Sequence, residues 1–508
     1  MRTIKFSTIA VLTSFGLSLS AQAPDGAAAR ALLTQSIAAM GGEARLTSLS
    51  SLTLDGIGHY WALEQSERPE GPFLAIYRQR VEVRDLANKR RWSQGQQRFW
   101  SAAQWTAPSV TVIANGVAAR QSGTRWGPGS PNDVADFDET LALAPERLLF
   151  TARDAADLRK VADATVQRMR HDVVSFTRNG QKLKLFLNGY THLPTQLEIV
   201  KDDRFGIWGD VTERRLYSFW TREAGGLMYP RQTTTQWNEL PYSDETVLAL
   251  TVDAPIDETK FAIPDDAKAA FAKLAASAPP PGAPLMANLT VDEARMTQVA
   301  PDVWQIAGGF NVGVVKQPDG LVVIEGTTSG SYSKAIMALL EKKFPGVAIK
   351  AVVTTSDAWP HVGGMREYIA NSKPIYALDL NVSILSHIAE SPRTFSPDTL
   401  SKAPRPPVFK PVAAKTTLGS GETRIELIPV RGEMGERMML AWLPGRSVLY
   451  SSDLIQPNRP GVPGFFMIGM VAEVDAAVQR EKITGVQTVF GMHLPPTPWA
   501  TVQEALKK

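Results

Sequence analysis

The chain carries two rhythms of apolar and polar residues. Near its start, "AARALLTQSIAAMGG" places Leu33, Ile37 and Met40 on one face at helical spacing, and Gly41-Gly42 closes the pattern, which predicts a helix. From about residue 50 the period drops to two. "SLTLDGIGHYW", "LAIYRQRVEVRDL" and "SVTVIANGVAARQ" alternate or are rich in β-branched residues, as strands with one buried face do. Asn115-Gly116 and Asn179-Gly180 predict tight hairpins. "VVSFTRNGQKLKLFLNGYTHLPTQLEIV" reads as a meander of three strands, and "DVTERRLYSFWT" and "RQTTTQWN" add more. One helix with this many antiparallel strands implies a large curved sheet, a half-open barrel.

"LAASAPPPGAPLMANL", 274–289, interrupts that pattern, because its prolines and glycine cannot continue a helix or a central strand. Beyond it strands and helices alternate. "VWQIAGG", "NVGVVKQ" and "GLVVIEG" read as short strands, and "SYSKAIMALLEKKF" as an amphipathic helix with Ile336, Leu339 and Leu340 inward. "AIKAVVTTS" is a buried strand, followed by a helix in "VGGMREYIANS", a strand in "PIYALD" and a helix in "LNVSILSHIAE". "TRIELIPV", "MMLAWLP" and "SVLYSSD" are strands, "VAEVDAAVQREKI" a helix, and "QTVFGMH" ends on a strand. Two layered mixed sheets with helices on both outsides fit this order. The fold class expected is α+β.

Length and composition refine the picture. A chain of 508 residues is long for one domain. The boundaries expected are a signal peptide at 1–23, a strand-rich domain at 24–276, a Pro-rich linker at 277–289 and a second domain at 290–508. A net charge of +3 over this length gives no concentrated basic face, so nucleic acid is not an expected partner. Arg2 and Lys5, the short apolar run "TIAVLTSFGLSL" and the small residues "AQA" have the layout of a cleavable secretory signal. No other stretch is long and apolar enough to span a membrane, so the mature chain is expected in the periplasm or outside the cell. Cysteine is absent, which excludes disulfides, thiolate metal ligands and a cysteine nucleophile.

The candidate chemistry lies in "TTSDAWPHVGG", 354–364, directly after a buried strand. The order "VWQIAGG … VGVVKQPDGLVVIEGTTS … KAIMALLEKKFPGVAIKAVVTTSDAWPHVGGMREYIA" resembles the start of the metallo-β-lactamase superfamily, element by element. That family's loop reads T-H-x-H-x-D-H-x-G-G. Here Thr355, His361, Gly363 and Gly364 match, while Ser356, Ala358 and Pro360 stand where two histidines and the aspartate would be. Met434 stands where the mid-domain histidine would be. Asp453 in "VLYSSDL" and His493 in "VFGMHLPP" match the bridging aspartate and the last histidine. The resemblance covers about two-fifths of the chain. It implies a C-terminal αββα sandwich with a degenerate site, in which His361, Asp453 and His493 serve both as catalytic groups and as ligands of at most one divalent transition metal (zinc, manganese or iron), or of none. The first half, in "LNGYTHLPTQLE … GD … RRLYSFW", resembles periplasmic lipoprotein-carrier-like half-barrels, in which an incomplete barrel wraps a helix.

Plainer roles stand beside these. His361 could hydrogen-bond its own loop, Asp453 could cap a turn and His493 could be packed beside Pro495 and Pro496. Asp357 is a candidate replacement carboxylate, Glu436 and Arg437 candidate substrate contacts, and Trp359, Phe465, Phe466 and Met467 candidate walls of an apolar pocket. His59, His171, His192 and His387 show no ligand spacing. No G-x-S-x-G elbow, phosphate loop or dinucleotide fingerprint is present. The resemblance implies an exported hydrolase-like protein acting on an ester, amide or related substrate. The alternative is a non-catalytic periplasmic binding protein for a small-molecule or lipid-like ligand. Whether such a protein works alone or as an oligomer is open at this stage.

Overall fold

The computed structural model describes residues 26–65, 73–99, 104–279, 283, 289–458 and 463–507. The expected signal peptide and much of the Pro-rich linker lie outside the described residues. Among these residues no helix is long and apolar enough to cross a membrane. The architecture is α+β, with helices set against several large sheets.

Before the linker, thirteen strands form one antiparallel sheet. Two meanders make it up, joined where the strand Ser51–Trp61 pairs with Leu240–Val252. The sheet stays open, with Arg125–Pro128 on one edge and Arg159–Val166 on the other. The helix Gly26–Ala39 lies on it, and Leu33, Ile37 and Met40 are buried in one cluster with Leu52, Phe176, Leu185 and Leu197 of the sheet. Both hairpin turns form as expected. Asn115 and Gly116 take φ of 53° and 73°, and Asn179 and Gly180 of 49° and 75°, the left-handed pairs that match the twist of the flanking strands. Two further helices, Pro131–Ala142 and Pro145–Arg153, interrupt the strand run. Each opens with proline, and the first carries a capping box of Ser130 and Asp133.

After the linker, two mixed sheets face each other. The larger runs in chain order through Met296–Ala300, Val303–Ile306, Val312–Gln317, Gly320–Ile324, Ile349–Thr354, Ile375–Leu378 and Phe409–Val412, and its last four strands are parallel. The smaller contains Ile425–Pro429, Met439–Leu443, Val448–Tyr450 and Thr488–Phe490. Val322, Ile324 and Val353 of the first meet Leu427, Ala441, Tyr450 and Phe490 of the second in a buried layer. Outside the larger sheet lies the helix Gly330–Lys343, through Ile336, Leu339 and Leu340. Outside the smaller lies Ile468–Arg480, through Val471, Val474 and Ala477. Both faces of each sheet are therefore covered, which explains why these strands are nearly all apolar and do not alternate.

No sheet crosses the linker, yet the two halves share a core. Ile207, Trp208, Val211 and Trp237 belong to the same buried cluster as Tyr368, Ile384, Leu385 and Ile388. Polar ties flank it. The Asp210 carboxylate accepts from Thr394 N at 2.9 Å and Thr394 Oγ1 at 2.6 Å, and Ser396 Oγ donates to Asp202 at 2.7 Å.

Candidate functional site

Four strand ends meet at one edge of the sandwich. The strand Gly320–Ile324 ends at Glu325, Ile349–Thr354 at Thr355, Val448–Tyr450 leads to Asp453, and Thr488–Phe490 leads to His493. His361 comes from the short helix Trp359–Val362 that follows the second of these. The loop around it is threaded tightly beneath residues 326–333. A Cβ on Gly363 would lie 2.5 Å from the Thr328 carbonyl oxygen, and one on Gly364 would lie 2.3 Å from Ser333 Oγ. The two glycines of the motif thus let the chain pass, and they split the single helix expected at "VGGMREYIANS" into Trp359–Val362 and Met365–Ala370.

The three expected residues are brought together around one carboxylate. His493 Nε2 donates to Asp453 Oδ1 at 2.8 Å, and His361 Nε2 faces Asp453 Oδ2 at 3.9 Å. The opposite nitrogen of His361, Nδ1, lies 2.8 Å from Glu325 Oε2. Thr355 Oγ1 donates to Glu325 Oε1 at 2.5 Å and shares a hydrogen bond of 2.7 Å with Ser452 Oγ. Glu325 and His361 are fully buried, whereas Asp453 and His493 retain 17% and 28% of their side-chain exposure and so face the solvent side. Glu325 sits at φ 100° and Ser452 at φ 55°, left-handed conformations that cost free energy in residues other than glycine.

The electrostatics follow from this row of groups. Burial opposes the His361 imidazolium, but Glu325 and Asp453 on either side outweigh it and push its pKa up to about 10. Burial also opposes ionisation of Asp453, yet the His361 imidazolium 3.9 Å away and the hydrogen bond from His493 hold its carboxyl well below the usual carboxylate range. At neutral pH His361 is therefore an imidazolium beside an ionised Asp453, with Glu325 on its inner side and His493 at the outer end of the row.

Among the described residues no group of three or more His, Asp or Glu side chains is arranged to hold a metal ion. His493 Nε2 is already hydrogen-bonded to Asp453 Oδ1, and His361 is clamped between two carboxylates. The Nε2 of His361 is buried without a hydrogen-bond partner, 3.9 Å from Asp453 Oδ2. The positions where the resembled family has its other ligands have become walls. Ser356, Ala358, Pro360 and Met434 all line a cavity of about 580 Å³ whose inner end holds Asp453 and His493.

Trp359, Phe466 and Met467 line that cavity as expected, together with Asp357 and Arg437, while Phe465 and Glu436 do not. Its far wall comes from the first half of the chain, through Leu74, Phe99 and Trp105. Phe310 closes the side, with its ring 5.4 Å from that of His493 and 5.7 Å from that of Trp359. The remaining histidines stay apart from the site. The His387 ring packs at a tilt against Trp208, His171 Nδ1 lies 2.9 Å from Met169 O, and His59 lies against Trp61 and Tyr77.

No protein-family model and no curated protein matches the sequence. Among solved structures, the stereoselective inverting sec-alkylsulfatase Pisa1 from Pseudomonas sp. aligns with a TM-score of 0.32 and 18% identity, over 42% of this chain and 40% of that one. The chain thus spans less than half the length of that enzyme, and so low a score carries no argument about chemistry.

Two groups of residues escaped the sequence reading. Glu325 ends an otherwise apolar strand, and a lone charge after "LVVI" was the available signal. For Leu74, Phe99 and Trp105 there was none, since they reach the site only through the contact between the halves.

Proposed function

We propose that the chain is a hydrolase-like enzyme whose Asp453–His493 pair works as a metal-free acid–base couple on an ester, amide or related substrate with an apolar body. The observation that carries this reading is the hydrogen bond from His493 Nε2 to Asp453 Oδ1 at the inner end of a cavity walled by Phe310, Trp359, Met434, Phe466 and Met467. A carboxylate that stays ionised fixes the imidazole's orientation and tautomer. With Nε2 committed to Asp453, the free nitrogen of His493 would take a proton from water as its oxygen adds to the substrate's acyl carbon. The same imidazolium would then give that proton to the leaving oxygen or nitrogen as the acyl bond breaks. His361, held as an imidazolium between Glu325 and Asp453, positions the carboxylate and touches no substrate.

The sandwich order and the residues matching at Thr355, His361, Gly363, Gly364, Asp453 and His493 support placing the second half with the metallo-β-lactamase superfamily. Export to the periplasm or medium is part of the same reading and rests on the N-terminal pattern. The test is hydrolysis of p-nitrophenyl esters of increasing acyl length by the mature chain, alongside metal analysis by mass spectrometry. Turnover by metal-free protein that rises with acyl length and is lost in His493→Ala supports the proposal. One equivalent of zinc, manganese or iron, with activity dependent on it, would replace it by the one-metal enzyme. Retention of the esters without turnover would favour the alternative of a binding protein, for which the loss of Ser356, Ala358 and Met434 as ligand positions speaks.

A further inference from the structure

The large sheet of the first half encloses a second cavity, of about 400 Å³, remote in sequence from the site above. Along the strand Ala75–Asp85, Arg78, Arg80, Glu82 and Arg84 recur at every second position and so share one face. Arg215, from the strand Asp210–Arg222, joins them. The charged groups lining the cavity are Arg78, Arg80, Arg84 and Arg215, against a single carboxylate, Glu245.

The balancing acids lie deeper, against these arginines and off the cavity lining. Glu82, Glu146 and Glu213 are all nearly fully buried and do not line the space. Arg84 donates from Nε to Glu82 at 2.6 Å and from Nη1 to Glu146 at 3.0 Å, and Arg215 donates from Nε to Glu213 at 2.7 Å. These bonds fix the guanidiniums while leaving further N–H donors for something else, since each guanidinium carries five. Arg78 has no carboxylate partner among the described residues, and its guanidinium lies 4.0 Å from the Tyr60 ring centroid. The buried Tyr217 hydroxyl, next to Arg215, has no hydrogen-bond partner of ordinary geometry. The rest of the wall is apolar, with Leu54, Ile57, Leu143, Pro230 and Val247.

We propose that this cavity is a second binding site, for an amphiphilic oxyanion: a carboxylate or phosphate on an apolar body. Guanidiniums held from behind by carboxylates need no reorganisation to receive an oxyanion, and arginine's planar fork suits both headgroups. The apolar wall would take the body. Nothing in this depends on the chemistry assigned to His493.

The test is calorimetric titration of the mature chain with octanoate, octyl phosphate, octanol and inorganic phosphate. Octanoate or octyl phosphate should bind, octanol should not, and the affinity should fall as salt is raised. Arg78→Ala, an exposed position, should weaken that binding roughly tenfold, the loss of one charge-assisted hydrogen bond. Arg215→Lys, which keeps the charge opposite Glu213 but loses the fork, should also weaken it. His493→Ala, in the other cavity, should leave it unchanged. Binding of inorganic phosphate alone would overturn the apolar body. Equal affinity for octanol and octanoate, binding unaffected by Arg78→Ala, or no binding of any probe by folded protein would overturn the site.

Discussion

His361 has carboxylates on both ring nitrogens and no exposure, which decides what its removal does. An exposed ligand histidine would be cheap to truncate. This one, replaced by alanine, leaves the buried Glu325 and the part-exposed Asp453 without the group that lies between them, and breaking a buried ion pair costs about 3–5 kcal/mol. We therefore expect His361→Ala to lower the melting temperature markedly, with His493→Ala, partly exposed at the outer end of the row, costing far less. A pH dependence follows from the same geometry. The folded-state pKa of His361, about 10, lies above its ordinary value near 6.5. Its contribution to stability is then fully present below about pH 6.5 and is lost as pH rises through about 10. Asp453 works in the opposite direction, contributing above its ordinary value near 4 and losing that contribution as pH falls through its depressed one. Thermal melts from pH 6 to 10.5 should show the advantage of wild type over His361→Gln shrinking steadily. An advantage that grows with pH would mean that His361 is neutral in the folded state.

At the scale of elements, glycines of two kinds carry the fold. Gly116 stands in open space, and its requirement is conformational, with φ at 73°. Alanine there should cost about 1 kcal/mol and leave the site untouched. Gly364 has an ordinary φ but no room, because a Cβ would meet Ser333 Oγ at 2.3 Å, Thr327 Oγ1 at 2.4 Å and the Ser329 carbonyl oxygen at 2.5 Å. Alanine at Gly364 should cost about 1–3 kcal/mol as an overpacked position and shift the loop that presents His361. The measurement is a chemical denaturation series on both variants with an ester assay on each. Loss of activity in Gly116→Ala but not in Gly364→Ala would contradict this account of the loop.

At the scale of the whole molecule, the halves are joined by more than the linker. The shared cluster of Trp208, Val211 and Trp237 with Tyr368, Ile384 and Ile388, and the bonds from residue 394 to Asp210, lie between them. Limited proteolysis in 277–289 should therefore give two fragments that still elute together from a sizing column and separate only in denaturant. The Asp210→Ala variant, which strands the Thr394 N–H and hydroxyl, should loosen the nicked complex. Fragments that separate at once in native buffer would show that the common core adds little. The cavity at His493 depends on this contact, since Leu74, Phe99 and Trp105 close it. Nicked and separated halves should lose any preference for long acyl chains.

Periodicity alone was enough for most elements: the helix face of Leu33 and Ile37, both Asn-Gly hairpins, the apolar strands of the sandwich and the inward face of Ile336 and Leu340. These depend on contacts a few residues apart or on the wholesale burial of a face, and both leave a repeating mark in the chain. His361, Asp453 and His493 were singled out by the family resemblance, and their positions at strand ends on one edge of the sandwich let them converge. Their relation was decided only in three dimensions. His493 donates to Asp453, and Glu325 reaches His361 from a different strand. The row of arginines on Ala75–Asp85 was likewise visible as alternation, but alternation does not say which face is enclosed. That depended on how the sheet curves and on which helices cover it, and the local pattern of the chain carries neither.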